Sequence, residues 1–260
     1  MFSSEPRCYY RNAQLGEVIC QLRFPQILSI GTSVPAAFQD AIREDFPLFS
    51  SRQESLPPKI IGTPGNMSLQ NQPSVINYQF TSADGFWKVN LTNNFISLAC
   101  ASYAGWEDFA AKLDKPLASF IKLYKPAFFE RVGLRYINFI SRQDLGLENT
   151  PFRELINSCY LGPLAAENVD ESKVNRSTVD LEMDYRGSHL KLHAGPGRIQ
   201  RDGKHDPELK FIFDQDLFMA GQIPVQMSAG ALNTLHLQAF SVFRGAITDK
   251  LHEAMMPDTI

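Results

Sequence analysis

Six ionisable residues alternate with apolar ones in two neighbouring stretches of the sequence. They are three acidic and three basic side chains: Asp180, Glu182, Asp184, His189, Lys191 and His193. A two-residue turn at Arg186-Gly187 predicts a hairpin that pairs Asp184 with His189 and Asp180 with His193. Opposite charges across strands stabilise a hairpin by about 0.2–1 kcal/mol per pair. Because carboxylates and imidazoles also bind metals and transfer protons, a metal or acid–base site here is the alternative.

Two further carboxylates, Asp214 and Asp216, stand two residues apart at the end of a predicted strand. Paired carboxylates on one side of a strand can hold Mg²⁺ or raise each other's pKa. A metal-dependent hydrolase that uses this pair, or the hairpin of residues 180–193, is therefore one functional hypothesis. The simpler interpretation is a solvated strand terminus or a capped turn.

The sequence from Arg131 to Asn138 predicts a strand with two chemically different faces. Arg131 and Arg135 lie on one face, whereas Tyr136 and Asn138 lie on the other. If the second face is in the core, its polar atoms need partners, and the arginines project where an anion can reach them. We therefore predict ligand-binding residues at Arg135, Asn138 and Arg131. In the alternative, Arg135 pairs with a carboxylate and covers apolar surface with its stem.

The remaining segments offer weaker signals of chemistry. The Gly-rich stretch Gly195–Pro207 contains four potential cations but lacks P-loop spacing, which favours a long hairpin loop over a nucleotide lid. His236 is displaced by one position from an apolar helical stripe, so we predict a flanking or partly buried histidine. Motifs of serine nucleophiles, zinc proteases and dinucleotide sites are missing, which lowers the odds of an enzyme. The sequence indicates no cofactor.

Composition limits the classes of partner. The chain has 260 residues and a net charge of 25 − 28 = −3, with a pI near 6.0. This balance gives no global field for nucleic acid or an anionic membrane. No uncharged apolar run has the length of a membrane span or a signal peptide, so we expect a soluble cytoplasmic protein. The four cysteines lack the spacing of a zinc site or a redox dithiol, and we expect reduced, packed thiols.

The predicted elements repeat along the chain. Alternation predicts strands at residues 17–24, 75–82, 86–92 and 95–101, followed by a helix with an apolar stripe from Trp106 to Tyr124. A second set of strands is predicted at residues 128–140, 177–185, 188–194 and 208–214, followed by a helix striped from Leu232 to Leu251. Between the first strands, Ser50–Pro73 contains four prolines and predicts an irregular connection.

Each half has the order strand, short helix, three antiparallel strands and long helix. This order predicts an α+β protein with tandem β-α-β-β-β-α halves, at about residues 14–125 and 128–255 of a single domain spanning 1–260. The halves would form one or more antiparallel sheets covered by the two long helices.

Four segments resemble a known family: Gly16–Phe24, Tyr103–Phe109, Val132–Asn138 and Phe243–Leu251. The chain is similar to a sporadically distributed family of uncharacterised bacterial proteins of about 260 residues, and its Gly-Leu-Arg-Tyr-Ile-Asn segment at 133–138 is the most specific part. The resemblance covers nearly the whole chain. It implies a bacterial origin and a single full-length unit, and it carries over no activity, substrate or cofactor.

Together these features favour a non-enzymatic binding or assembly module over an enzyme. A cleft between the halves would recognise a small ligand, a peptide or a partner protein, with a second copy of the chain among the partners considered. The metal-dependent hydrolase is the alternative. Nucleic-acid binding is the third hypothesis, and it ranks last because no basic patch or aromatic platform is evident.

Overall fold

The computed structural model describes residues 1–54, 59–63, 66–70, 74–201 and 204–259. The strands are Cys8–Tyr10 (β1), Leu15–Arg23 (β2), Leu48–Glu54 (β3), Lys59–Thr63 (β4), Asn66–Gln70 (β5), Val75–Thr81 (β6), Trp87–Leu91 (β7), Phe95–Cys100 (β8), Phe129–Ile140 (β9), Val179–Tyr185 (β10), Ser188–Gly197 (β11), Gln200–Arg201 (β12), Lys204–His205 (β13), Lys210–Ile223 (β14) and Pro257–Thr259 (β15). The α-helices are Leu28–Thr32 (α1), Ala36–Ile42 (α2), Trp106–Tyr124 (α3), Ser228–Ala246 (α4) and Asp249–Ala254 (α5). Short 3₁₀ turns are Phe152–Glu154, Ser158–Tyr160, Gly162–Ala165, Glu171–Lys173 and Val225–Met227.

A nine-stranded sheet dominates the architecture, in the order β10-β11-β14-β9-β2-β8-β7-β6-β3. Every pair of neighbouring strands in it is antiparallel. The long strand β9 pairs with β2 on one side and with β14 on the other, so strands from the N-terminal and C-terminal parts of the sequence meet near the centre of the sheet. The predicted α+β class with an antiparallel sheet is confirmed.

One face of the sheet is covered by both 19-residue helices. A cross-strand row on this face runs Leu181, Leu192, Gln215, Tyr136, Val18, Cys100 and Trp87. Phe109 of α3 packs on Trp87 with ring centres 5.8 Å apart, and His236 of α4 packs on Tyr136. Since strand side chains alternate between faces, the residues between these row positions face away from the helices.

The opposite face carries the charged side chains of β9, β10, β11 and β14. The predicted hairpin register is confirmed, with Tyr185 opposite Ser188 and Asp180 opposite His193. Arg186 and Gly187 have φ values of 49° and 82°, the pair of positive angles that a type I′ turn requires. The right-handed twist of the two strands selects this turn, which explains why a short local sequence determined the register.

Three local predictions need correction. Ser50–Pro73 is not simply irregular, because β3 lies on the sheet edge and β4 pairs with β5; residues 55–58, 64–65 and 71–73 lie outside the described residues. Asp214 and Asp216 lie within β14 and not at a strand end, since this strand continues to Ile223 on its pairing with β9. Gly195 and Gly197 belong to β11, so the long connection to β14 begins at Arg198 and not at Gly195, and it contains β12 and β13.

Residues 1–14, which precede β2 and which we call the N-terminal arm, pack across α4. The backbone N–H of Ser3 donates to the carbonyl of Ser241 at 2.9 Å, and β1 pairs with β15 near the C-terminus. Gly245 permits this crossing, because a Cβ at that position would overlap the backbone of Met1 and Phe2. The arm therefore forms a wall over the end of the sheet that α4 covers. Throughout the described part of the chain, every helix is too short or too polar to cross a membrane.

Candidate functional site

A cavity of about 160 Å³ lies between α4, the N-terminal arm and the central strands β9 and β14. Aromatic side chains form much of its wall: Tyr10, Tyr103, Trp106, Phe240 and Phe243. The polar groups at the cavity come from distant parts of the sequence, including Arg7, Asn138, Gln215 and His236. The fold thus brings an aromatic enclosure and a small polar set to one place.

His236 is the centre of a hydrogen-bonded chain at one side of the cavity. Nη1 of Arg7 donates to its Nε2, so the remaining proton of the neutral ring is on Nδ1. That Nδ1–H donates to the hydroxyl of Tyr136 at 2.7 Å. The ring also stacks on Trp106, with centres 4.6 Å apart and planes 6° from parallel. Both ring nitrogens of His236 are therefore engaged by protein groups.

Electrostatics keep this histidine neutral. The pKa of His236 is lowered to about 4, mainly by burial and to a smaller extent by the guanidinium of Arg7. Arg7 is itself balanced by Glu107, whose Oε1 accepts from Nη2 at 3.0 Å. The pKa of Glu107 is lowered to about 2, first by a hydrogen bond from Tyr9 and then by its own backbone amide and Arg7. The charges of Arg7 and Glu107 therefore balance each other, so this ion pair adds no net charge at the cavity.

Two tyrosines extend the chain. Burial raises the pKa of Tyr136 and of Tyr103 well above the usual value, so both remain protonated at neutral pH. A hydrogen bond from the Tyr136 hydroxyl partly opposes this shift at Tyr103. Because Arg7 can only donate, His236 accepts from Arg7 and donates to Tyr136, and Tyr136 in turn donates toward Tyr103.

Gln215 is the unusual polar group of the cavity. Its side chain occupies an inward position of β14 between Phe213 and Leu217, and the residue is 2% exposed. Among the residues that the structure describes, its Oε1 has no hydrogen-bond partner. Asn138, on the neighbouring strand, differs because its Nδ2 donates to the Phe213 carbonyl at 3.3 Å.

The predicted ligand-binding residues are divided between the two faces of the sheet. Asn138 lines the cavity, whereas Arg131 and Arg135 lie on the opposite face. Nη2 of Arg131 donates to both carboxylate oxygens of Asp216 at 2.6 and 2.7 Å. Arg135 binds Asp214 through Nε and Nη2 at 2.7 and 2.5 Å. The arginines and aspartates, taken separately as anion and metal ligands in the sequence analysis, are partners of each other.

The hairpin side chains pair in the same way. His193 and His189 lie 2.6 Å from the carboxylates of Asp180 and Asp184, and Lys191 lies 2.9 Å from Glu182. Within the described residues, no three His, Cys, Asp or Glu side chains converge as a metal site would require. Ladder positions point in parallel and do not converge, which is the geometric reason.

Gly133 has a specific role beside the Arg131 pair. A Cβ at this position would overlap the guanidinium of Arg131, so glycine leaves the space in which that side chain lies across β9 toward Asp216. The guanidinium also sits 4.5 Å from the centre of the Phe218 ring. The glycine that begins the 133–138 segment therefore has a packing function on the open face.

We expect Arg131→Met to lower the free energy of unfolding by about 1–2 kcal/mol, because both carboxylate oxygens of the partly buried Asp216 lose the hydrogen bonds that Nη2 of Arg131 donates. A double-mutant cycle with Asp216→Asn, followed by urea unfolding, should give a coupling energy of about 1 kcal/mol. Arg135→Met is the matched control with a smaller expected cost, since its side chain is 45% exposed. Additive effects of Arg131→Met and Asp216→Asn would contradict this assignment.

Sequence reasoning missed most of the cavity. It predicted a flanking or partly buried His236, whereas the residue is buried at 8% exposure, and it did not consider Arg7 or Gln215. One signal was available for Gln215: it is a polar residue at an inward position between Phe213 and Leu217. No local signal links Arg7 to His236, because 229 residues separate them.

Fold and site together define an α+β protein with a helix-covered nine-stranded sheet and an aromatic cavity at its centre. No protein-family model matches the chain, and no curated protein sequence is significantly similar to it.

Proposed function

We propose that the protein is a non-enzymatic binding module that takes a small ligand in the cavity beneath α4. The observation that carries this proposal is the cavity itself, whose largely aromatic wall also presents a few polar side chains, among them Asn138 and Gln215. Aromatic walls with a few polar groups are typical of small-molecule sites.

The size of the cavity favours a small ligand over a peptide or a protein segment. Its volume of about 160 Å³ is close to that of an apolar cavity of roughly 150 Å³ that binds benzene. A single ring is thus the natural occupant.

The state of the reactive groups supports binding without catalysis. Neither nitrogen of His236 is available to accept a proton from a ligand, since Arg7 and Tyr136 occupy them. Burial raises the pKa of the Cys8 thiol at the cavity wall, which disfavours the nucleophilic thiolate. The cavity therefore offers contacts and hydrogen bonds but no activated nucleophile or base among these residues.

The proposal includes an origin from two equivalent halves. The strand order supports it: from the central β9, the second half continues through β14, β11 and β10, and from β2 the first half continues through β8, β7 and β6. Each set of three is joined by successive antiparallel pairings and followed by a 19-residue helix. Residues from both proposed halves line the cavity, with Leu15 and Trp106 from the first and Tyr136 and His236 from the second, and we therefore propose it as the cleft between the halves.

We also propose a reducing, cytoplasmic location in a bacterial cell. All four cysteines lie in described parts of the chain and are free thiols. Two of them, Cys20 and Cys100, are buried in the core, where thiols pack as small apolar groups.

The binding proposal predicts that fluorobenzene enters the cavity with a dissociation constant of about 1 mM or below. The measurement is ¹⁹F NMR titration of the full chain. Ala239→Leu should weaken binding at least tenfold, because Ala239 lines the cavity and is 2% exposed. Ala231→Leu is the control, since Ala231 is buried on the same helix but does not line the cavity. The smaller change Ala239→Val provides a second test if the leucine variant does not fold.

Fluorobenzene binding that Ala239→Leu and Ala239→Val leave unchanged would place the ligand elsewhere and refute the proposal. So would the absence of any fluorobenzene binding to the wild-type protein.

A further inference from the structure

Tyr103 is held at the wall of the cavity, three residues before α3 begins. Its side chain is half-buried and lines the cavity. The ring packs edge-on against Tyr136, with centres 6.0 Å apart and planes 86° from parallel, and its centre lies 6.1 Å from that of Phe109. These contacts hold the ring in place, so the position of its hydroxyl is set by the packing of the wall.

The hydrogen-bonded chain that starts at Arg7 determines which hydrogen of the chain is left over. Because Arg7 only donates, Nε2 of the neutral His236 accepts, and its Nδ1–H donates to the Tyr136 hydroxyl at 2.7 Å. The Tyr136 hydroxyl has one hydrogen, which it donates to the hydroxyl of Tyr103. Tyr103 therefore accepts a hydrogen bond within the protein, and its own hydrogen needs another acceptor.

The nearest carboxylate is already used by other donors. Glu107 accepts from Arg7 at 3.0 Å and from Tyr9 at 2.5 Å. Within the parts of the chain that the structure describes, the side-chain hydrogen bond at Tyr103 is the one that it accepts from Tyr136. Since Tyr103 lines the cavity, an acceptor for its hydrogen can lie there.

The rest of the cavity limits the chemistry of that acceptor. Arg7 is paired with Glu107, and His236 is neutral, so an anionic ligand would be buried without an unpaired positive charge to bind it. A carbonyl oxygen is a strong neutral acceptor that brings no donor of its own. The chain also strengthens the last donor, because successive hydrogen bonds polarise one another. The aromatic walls provide flat surfaces for a ring.

We infer that the cavity binds a neutral single-ring carbonyl compound, whose oxygen accepts a hydrogen bond from the hydroxyl of Tyr103 at the end of the Arg7–His236–Tyr136 chain. This inference rests on the proposed function and specifies the ligand class for the same cavity.

The test uses two probes of the same shape and ¹⁹F NMR titration of the full chain. The probes are 4-fluoroacetophenone and 4-fluoro-α-methylstyrene, in which a CH₂ group replaces the carbonyl oxygen. We expect Tyr103→Phe to weaken binding of the ketone about fivefold to tenfold, the value of one hydrogen bond, and to change binding of the styrene by less than about twofold.

Tyr9→Phe is the matched control. Tyr9 also lines the cavity, but its hydroxyl donates to Glu107, so its removal should leave the ratio of the two affinities unchanged.

A second measurement needs no variant and covers the case in which Tyr103→Phe does not fold. The carbonyl stretching frequency of 4-fluoroacetophenone bound to the wild-type protein, measured by isotope-edited infrared spectroscopy, should lie below its value in cyclohexane, because a hydrogen bond weakens the C=O bond. A frequency equal to that in cyclohexane would overturn the inference.

The outcomes separate this inference from the proposed function. If Tyr103→Phe leaves ketone binding unchanged, or weakens both probes equally, the ligand class is wrong, and the cavity remains a binding site as long as fluorobenzene binds. A ratio that falls as far in Tyr9→Phe as in Tyr103→Phe would also overturn the assignment to Tyr103. If neither probe nor fluorobenzene binds the wild-type protein, both proposals are wrong.

Discussion

Gln215→Met should raise the free energy of unfolding of the ligand-free protein by about 1–2 kcal/mol, whereas Gln238→Met should lower it by about 1–3 kcal/mol. The two residues are both buried glutamines, at 2% and 5% exposure. They differ in their hydrogen bonds, which makes them a matched pair.

The opposite signs follow from the desolvation of the amide groups. Folding removes the Oε1 atom of Gln215 from water without giving it a hydrogen-bond partner in the described residues. Methionine removes that penalty and keeps the volume of the side chain. At Gln238 the same change leaves the Arg186 carbonyl without its donor and leaves the Ser188 hydroxyl with the Tyr185 carbonyl as its acceptor, and a group left unpaired costs more than a hydrogen bond contributes.

Urea unfolding of the ligand-free wild type and the two variants, monitored by circular dichroism, measures the effect. A change in the midpoint at a constant slope reports stability alone. A Gln215→Met variant less stable than the wild type by 1 kcal/mol or more would show that the amide is satisfied in the folded protein.

The second large effect concerns pH. We expect the free energy of unfolding to fall by about 3 kcal/mol between pH 6.5 and pH 4 through His236 alone. The folded protein lowers the pKa of this residue to about 4 from 6.5, mainly through burial. In this window the unfolded chain binds a proton that the folded protein excludes, so acid favours unfolding. Above pH 6.5 the contribution is fully present, and below pH 4 both states are protonated.

His236→Phe isolates this contribution, because phenylalanine retains an aromatic ring against Trp106 and does not titrate. The variant should be less stable than the wild type at pH 7, since Tyr136 and Arg7 lose their bonds to the ring. The stability difference should shrink by about 3 kcal/mol as the pH is lowered to 4. Urea unfolding at half-unit steps of pH measures it. Parallel curves for the two proteins would mean that His236 is not kept neutral by the fold.

Glu107 contributes mostly below that window. Its pKa is lowered from 4.5 to about 2, so the stability that it supplies is present above pH 4.5 and is lost as the pH falls toward 2. Its side chain is 66% exposed, and solvent screening keeps the effect small. The comparison between wild type and His236→Phe removes most of this shared background.

The sequence predicted the elements whose signals are local. Alternation of Asp180, Glu182 and Asp184 with apolar residues, followed by an Arg-Gly turn, was sufficient for the hairpin and its register. The division of β9 into two faces was also predicted, because Val132, Leu134 and Tyr136 recur with the two-residue period of a strand, whereas the choice of the buried face was left open. In both cases the information lies within about ten residues, and the backbone geometry of a strand or turn converts it directly into structure.

The pairing of charges on the open face was not predictable in the same way. Arg131 and Arg135 were interpreted as anion ligands, with a carboxylate partner for Arg135 as the alternative, and Asp214 and Asp216 as metal ligands. The alternative for Arg135 is confirmed by its bonds to Asp214. Each set was considered without the other because about 80 residues separate them. The end of β14 was misplaced for a related reason: the polar residues Asp214, Gln215 and Asp216 interrupt the apolar pattern, and the pairing with β9 extends the strand through them.

By itself, the sequence determined the periodicity, the turns, the α+β class and the separation of polar and apolar faces on individual strands. Only the tertiary structure decided which faces meet. It brought Arg7 to His236 across 229 residues and placed Gln215 opposite Tyr136, whose hydroxyl is hydrogen-bonded to His236. It also packed the N-terminal arm across α4 beside these residues. The physical reason is that side-chain alternation is set by the backbone of each strand, whereas the neighbours of a buried polar group depend on the packing of the whole chain.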